Sequence, residues 1–172
     1  MKLSAQTQDI LKNIHRRRHD VIEVREERTQ LLICTISEYY FALPGAILKE
    51  IVPVESVTFV PGLPNYFLGL FNLRGDIFSI LDVCQLLELE KQPVTSKSRF
   101  IITHVDGIST GLLVDSVEDV LEIEKRKIIE TPAHNDSLGQ YVTAEVEYGD
   151  KPVALLDIAK LIRDVIRQNE DR

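Results

Sequence analysis

The carboxylates of Asp82, Asp115 and Asp157 could support acid–base chemistry, because each follows an apolar run. Two carboxylates held close together can act as a general acid and a general base. Asp82 and Asp157, however, occupy the same place in a repeated pattern, directly before a helical run. An aspartate there accepts hydrogen bonds from the free backbone N–H groups that begin a helix. We therefore predict helix caps at these positions and assign no catalytic residue.

Two histidines, His15 and His19, lie one helical turn apart, a spacing that can bind a metal ion. Three arginines separate them and raise the local positive charge, so a solvated helix is the favoured interpretation. His104 and His134 have no recognisable partner in the sequence. The chain also lacks a glycine-rich phosphate loop, a nucleophile elbow and zinc-ligand spacing. The sequence thus predicts a binding module with no metal and no cofactor.

Arg74 is the main candidate for a binding residue. It stands in a turn after the apolar run Tyr66–Phe71, YFLGLF. One interpretation is a solvated surface arginine. The other is an interface hot spot, since arginine beside exposed aromatic surface is typical of such sites. The run itself is open to two interpretations, core packing or exposed surface, and Gly69 within it predicts a bulge or a close approach of another backbone segment.

The pattern around Arg74 occurs twice in the chain. Residues 70–89 read as a strand, a turn, an apolar strand over 77–81 predicted to be buried on both faces, and a short helix. Residues 146–162 repeat this order, which indicates two related halves. Matching Gly75 with Gly149 sets Arg74 opposite Tyr148 and inserts one residue before the second capping aspartate. Since the second turn forms without an arginine, the turn itself does not explain Arg74.

Many short strands and few helices predict a mainly β fold of two linked small units. Residues 91–98 form a polar connection between the repeats, and a helix is predicted from Asp157 to about Arg167. The sequence leaves open whether each repeat forms its own barrel or lends strands to the other. Residues 1–29 contain neither glycine nor proline and are predicted to be helical, either as a solvated extension or as a docking or dimerisation helix.

Composition narrows the class of protein further. The 172 residues carry a formal net charge of −7, which argues against binding of a phosphate backbone as the main role. No apolar run is long enough to span a bilayer, and the first residues do not resemble a secretory signal. Cys34 and Cys84 each lie in an apolar segment, and we predict buried free thiols in a reducing cytoplasm.

Several short motifs together resemble the chemotaxis coupling protein family, the CheW-like domains. The resemblance rests on Asn72-Leu73-Arg74-Gly75 followed by Ile80-Leu81-Asp82, and on three further motifs in the same order along the chain. These are Phe41-Ala42-Leu43-Pro44, Gly111-Leu112-Leu113-Val114-Asp115 and Leu155-Leu156-Asp157. One departure is Ala144, where the family usually has glycine after the Tyr-aliphatic pair.

The resemblance implies two five-stranded SH3-like β-barrels, with the CheW-like domain over residues 30–167 and a helical extension over residues 1–29. It implies a non-enzymatic scaffold, located in the cytoplasm at receptor arrays. Such a scaffold joins the cytoplasmic tip of a methyl-accepting chemoreceptor to the regulatory domain of a CheA-like histidine kinase. By position, the partner-binding residues would be Leu48, Gly69, Asn72, Arg74, Gly111 and Val120.

Three alternatives stay open at this point. The same adaptor domain could serve a type IV pilus twitching or phototaxis system. The chain could be a fragment of a larger kinase. A small-barrel nucleic-acid-binding protein is the rival from another class, and the acidic charge and an aromatic content of 6% argue against it.

Overall fold

The computed structural model describes residues 26–170, in which two β-sheets account for most of the chain. The helix predicted over residues 1–29 therefore lies almost wholly outside the described residues, and a strand already begins at Arg28. The strands are β1 Arg28–Ile36, β2 Tyr39–Pro44, β3 Leu48–Pro53, β4 Phe67–Leu73, β5 Asp76–Asp82, β6 Arg99–Val105, β7 Ile108–Val114, β8 Ser116–Glu124, β9 Ile129–Glu130, β10 Val142–Tyr148 and β11 Lys151–Leu156. The α-helices are α1 Val83–Leu86 and α2 Ile158–Glu170, and one-turn 3-10 helices cover Gly45–Ile47, Lys125–Lys127 and Gly139–Tyr141.

The two repeats exchange strands. The six-stranded sheet has the order β8-β1-β2-β11-β10-β9, and the five-stranded sheet has the order β3-β6-β7-β5-β4. Each sheet therefore takes its central hairpin from one repeat and its outer strands from the other. The junctions are the parallel pairs β11–β2 and β5–β7. This arrangement settles the open alternative, since each repeat lends strands to the other. The predicted mainly β fold is confirmed, and closure of each sheet into an SH3-like barrel stays a prediction.

Strand register defines which residues of the two repeats correspond. Phe67 pairs with Leu81 next to a bulge, and Val142 pairs with Leu156 next to an equivalent bulge. The two copies thus match without a gap at a separation of 75 positions, from 67 to 142 and from 81 to 156. The predicted insertion is wrong.

The same register corrects the residue that stands opposite Arg74. At 75 positions further along, Leu73 corresponds to Tyr148 and Arg74 corresponds to Gly149. Glycine was a misleading marker, because Gly75 takes the second position of its turn and Gly149 takes the first. The β1–β2 and β6–β7 hairpins, together with the strands β3 and β8 that flank them, also match without a gap, 69 positions apart.

The hydrophobic core has three parts. One cluster lies within each sheet, and a central cluster joins the two sheets with both helices. Side chains of β1 alternate between two of these clusters: Ile33 packs in the cluster of the six-stranded sheet, while Leu32 and Cys34 pack in the central cluster. Both faces of the central strands are therefore covered. Cys34 and Cys84 are buried, as predicted.

Two helix boundaries follow from capping. The carboxylate of Asp82 accepts a hydrogen bond from Gln85 N at 3.4 Å, and that of Asp157 accepts one from Lys160 N at 2.9 Å. Both predicted caps are confirmed. Helix α2 continues three residues past the predicted end, where the Asn169 amide donates to the Val165 carbonyl at 2.8 Å.

Strand β5 is less buried than the sequence predicted. Ile77 is 59% exposed, so burial of 77–81 on both faces is wrong for the first half of the strand. The reason is the register of the neighbouring strand, since β7 pairs with β5 only from Ser79 onward. The first residues of β5 pair with β4 alone and project beyond the sheet.

Candidate functional site

The β4–β5 turn presents Arg74 at an exposed end of the five-stranded sheet. Asn72 Oδ1 accepts a hydrogen bond from Gly75 N at 2.9 Å and thereby braces the turn. Arg74 has a φ of 53°, in the left-handed region, whereas the corresponding residue of the other repeat is Gly149 with a φ of 61°. Glycine adopts this conformation without the steric cost that a Cβ brings. Formation of the turn therefore does not explain why this position carries an arginine side chain.

The partner of Arg74 is Glu50 on β3. Its guanidinium donates two parallel hydrogen bonds to the Glu50 carboxylate, at 2.7 and 3.0 Å. These bonds, together with the charge of Glu50, raise the pKa of Arg74. The Arg74 side chain is 74% exposed, and solvated ion pairs of this kind add little to folding stability. The pair instead fixes the orientation of the guanidinium, because a bidentate contact constrains its plane.

A cavity of about 470 Å³ opens beside this ion pair, and we call it the Arg74 site. It combines charged groups with exposed apolar surface, including the exposed side chain of Ile77. Arginine next to a partly apolar depression has the character of a protein–protein hot spot. The lining residues are Lys49, Glu50, Leu73, Arg74, Asp76, Ile77, Phe78, Ile102 and Ser109.

Two predicted site residues, Gly69 and Gly111, lie in one row of paired residues that crosses the sheet and ends at Glu50. The row runs Gly69, Ile80, Gly111, Ile102 and Glu50, from β4 to β3. A Cβ on Gly69 would stand 2.5 Å from the Thr58 carbonyl oxygen, and one on Gly111 would stand closer than 3.0 Å to Ile80 Cδ1. The predicted close approach at Gly69 is confirmed. Both glycines have packing reasons, and their part in partner binding stays a prediction.

The remaining predicted residues are divided between the two sheets. Leu48 is half-buried at the start of β3, two residues before Glu50. Val120 is 57% exposed on β8 of the six-stranded sheet, where it pairs with Leu32. The apolar run before Arg74 is mostly core, because Phe71 is buried and Phe67 packs against the central cluster.

Sequence reasoning missed Glu50. It is 24 residues from Arg74, and only the pairing of β3 with β6, two strands away from β5, brings it to the same end of the sheet. A local sequence pattern carries no signal for such a contact.

The other side chains considered for chemistry have structural partners. The Asp82 carboxylate, besides capping α1, lies 3.0 Å from Lys91 Nζ. His104 Nδ1 lies 2.9 Å from Ser109 Oγ. Within residues 26–170, no three His, Cys, Asp or Glu side chains are grouped to hold a metal ion. The His15 and His19 pair lies outside the described residues. No helix in that same range is long and apolar enough to cross a membrane.

Comparison with known proteins gives concordant similarities. The model of the CheW-like domain matches residues 30–165. The chain is 28% identical to a chemotaxis protein CheW of Treponema pallidum, over 86% of this chain and 89% of that protein. It is 30% identical to the protein PilI of Pseudomonas aeruginosa, over 45% of this chain and 44% of that one. The fold is similar to the crystal structure of the scaffolding protein TtCheW of Thermoanaerobacter tengcongensis. That similarity has a TM-score of 0.71 at 26% identity, covering 78% of this chain and 88% of the other.

Proposed function

The chain belongs to the CheW-like domain family, and we propose that it is a non-enzymatic adaptor of a chemotaxis-type signalling array. In this role it joins the cytoplasmic tip of a chemoreceptor to the regulatory domain of a CheA-like histidine kinase. The adaptor holds the two partners in a geometry through which the receptor's conformation biases kinase activity. Its proposed location is the cytoplasm, at membrane-associated receptor arrays that it reaches through its partners.

One observation carries this proposal, the conformation of Arg74. The chain keeps an arginine in a left-handed turn position where its own second repeat has glycine, and Glu50 orients the guanidinium toward solvent beside a cavity. Stability of the turn does not account for this, so contact with another protein does. We assign the Arg74 site, with Leu48 beside it on β3, to partner binding. Gly69 and Gly111 would permit the close packing of the sheet that supports it.

Exposed apolar side chains supply a second kind of surface. Ile51 is 38% exposed on β3, one edge strand of the five-stranded sheet. Phe59 is 72% exposed next to Thr58, which pairs with Leu70 on the other edge strand, β4. Ile129 is 67% exposed on β9, the edge strand of the six-stranded sheet. Exposed apolar groups at sheet edges are typical of surfaces that pair with another β-protein. We propose these edges for barrel-to-barrel contact with the kinase's regulatory domain, which has the same fold by family resemblance.

The test is co-purification of the full chain with the kinase regulatory domain and with a receptor tip fragment, taken from the same genome. Two variants probe the Arg74 site: Arg74→Glu reverses the charge, and Arg74→Gly removes the side chain while suiting the backbone conformation. Arg163→Glu is the matched control, since Arg163 is also a surface arginine in a two-bond contact, with Asp106 at 2.6 and 3.3 Å.

We expect the wild type and the Arg163→Glu variant to bind and both Arg74 variants to lose one partner while keeping a native circular dichroism spectrum. Loss of the kinase would place Arg74 at the kinase contact, and loss of the receptor fragment would place it at the receptor contact. Full binding of both partners by Arg74→Gly would refute the assignment of the site. Failure of the wild type to bind any kinase or receptor of that genome would refute the adaptor.

A second setting for the same role has support from one similarity. The match to the protein PilI covers the shared domain only in part, so the chemotaxis-type array stands as the main proposal. An adaptor of a type IV pilus system would bind the kinase of that system instead. Parallel co-purification with each chemotaxis-type kinase encoded in the genome distinguishes the two.

A further inference from the structure

The six-stranded sheet has an end that corresponds to the Arg74 site. Strand register places Asp119 of β8 where β3 has Glu50, because Asp119 pairs with Ile33 as Glu50 pairs with Ile102. The turn position equivalent to Arg74 is Gly149. The carboxylate of Asp119 therefore stands in the place that binds an arginine in the other sheet, and residues 26–170 place no arginine against it. Among residues 26–170 its recorded hydrogen bond is local, from Val120 N to Asp119 Oδ1 at 2.8 Å.

Two tyrosine side chains lie at this end of the sheet. The rings of Tyr40 and Tyr148 have centroids 6.1 Å apart and are inclined at 43°. Burial raises the pKa of Tyr148, and the charges of Asp119 and Glu118 raise it further, so both carboxylates act on that phenol. We call this set, Tyr40, Glu118, Asp119 and Tyr148, the Tyr148 site.

One cation already approaches the aromatic part of the site. Lys151 Nζ stands 5.5 Å from the centroid of the Tyr40 ring. Its ammonium is a compact charge on a flexible stem, and no ion pair between Lys151 and Asp119 is recorded among the described residues. Tyr40 thus already has a cation over its ring, while the Asp119 carboxylate has no bidentate partner among residues 26–170.

We infer that the Tyr148 site binds an arginine side chain presented by a protein partner. A guanidinium matches this set better than an ammonium, because its planar fork pairs with a carboxylate through two hydrogen bonds and its faces stack on aromatic rings. The internal precedent is direct, since the equivalent carboxylate Glu50 binds the guanidinium of Arg74 in that way. The five-stranded sheet forms its carboxylate–arginine contact within one molecule. The six-stranded sheet would form the equivalent contact with an arginine of a second molecule.

The inference rests on the proposed adaptor role and adds which side chain one partner presents. Its test uses a small probe, so that a failure of the inference can be distinguished from a failure of the adaptor proposal. The probe is N-acetyl-arginine amide, added to the isotope-labelled full chain and followed by amide chemical shifts in NMR. Its control is N-acetyl-citrulline amide, which has nearly the same shape and no charge. We expect saturable shifts at Asp119 and Tyr148 with the arginine compound, and an apparent affinity about tenfold weaker or undetectable with the citrulline compound.

Two variants sharpen the result. Gly149→Arg rebuilds the internal ion pair, and the position permits it, because no atom lies within 4 Å of a Cβ there and Arg74 adopts a similar φ. Asp119→Asn removes the charge without changing the shape. Both are expected to abolish the arginine response while keeping dispersed native spectra. Conversely, Arg74→Gly vacates the carboxylate of Glu50 and is expected to create a new arginine response at the Arg74 site.

Several results would overturn the inference. Equal responses to the arginine and citrulline compounds would show that charge is not recognised. An unchanged arginine response in the folded Asp119→Asn variant would place binding elsewhere. No response in the wild type at millimolar probe would also refute it. The co-purification with kinase and receptor is independent of all three results.

Discussion

Replacement of Gly111 by alanine tests whether this predicted site residue acts through packing. The added methyl would stand closer than 3.0 Å to Ile80 Cδ1 and 3.3 Å from Ile102 Cδ1, and both isoleucines are buried. An extra methyl in a well-packed core costs about 1–3 kcal/mol. Alanine in place of glycine within a strand returns about 0.5–1 kcal/mol. We therefore expect Gly111→Ala to lower the free energy of unfolding by about 0.5–2 kcal/mol.

The other repeat indicates how to restore the packing. Its equivalent of Gly111 is Ala42, which pairs with Leu155 as Gly111 pairs with Ile80. Ile80→Val removes the methyl that lies nearest to the new Cβ, at a cost of about 0.5–1.5 kcal/mol when made alone. In the double variant the alanine methyl takes the vacated space. We expect the double variant to be no less stable than Ile80→Val, which is a favourable coupling of about 0.5–2 kcal/mol.

The assay is urea unfolding of the four proteins, followed by circular dichroism, with free energies from linear extrapolation. Gly69→Ala serves as the control, because its Cβ would meet the Thr58 carbonyl oxygen at 2.5 Å and Gly69 has a φ of 147°. Backbone atoms cannot move aside, so Ile80→Val should not rescue that variant. Strictly additive effects of Gly111→Ala and Ile80→Val would refute the packing argument. Unchanged stability with lost partner binding would instead make Gly111 a contact residue.

Three further predictions concern the caps, a tyrosine and the turn. Asp82→Ala should lower the free energy of unfolding in urea by about 1–3 kcal/mol, because the carboxylate is 3% exposed, caps α1 and pairs with Lys91, whereas Asp82→Asn should recover part of this loss. Burial and then Asp164 raise the pKa of Tyr141 to about 12, above its unfolded value. Its contribution to stability is therefore complete below pH 10 and should be lost as the pH rises to about 12. Urea titrations should show this loss for the wild type relative to Tyr141→Phe. Asn72→Ala should weaken co-purification at unchanged melting temperature, and Asn72→Asp, which keeps an acceptor for the amide of Gly75, should restore binding.

Local features of this protein were predictable because they depend on residues a few positions apart. Asp82 and Asp157 cap helices through backbone groups three residues away, and the apolar residues next to Cys34 in the sequence indicate that it is buried. The repeat singled out Arg74, whose part in partner binding stays a prediction, and the residue set against it was wrong. That error has a local cause, since matching glycines does not match turn positions when either residue of a turn can adopt a positive φ.

The strand exchange was not predictable from the same patterns. A strand's alternation shows which of its faces are apolar and not which strand lies beside it, so each repeat could equally have kept its own strands. The structure decides this through the parallel pairs β5–β7 and β11–β2, which link residues 31 and more than 100 positions apart.

The sequence by itself determined the strands, the caps and the family, since each follows from neighbouring residues or from motifs in order. Only the tertiary structure brought Glu50 to Arg74, set Gly69 and Gly111 in one row with Glu50, and placed Asp119 in the equivalent position of the other sheet. These contacts depend on strand register between distant segments, and register is set when buried faces pack together.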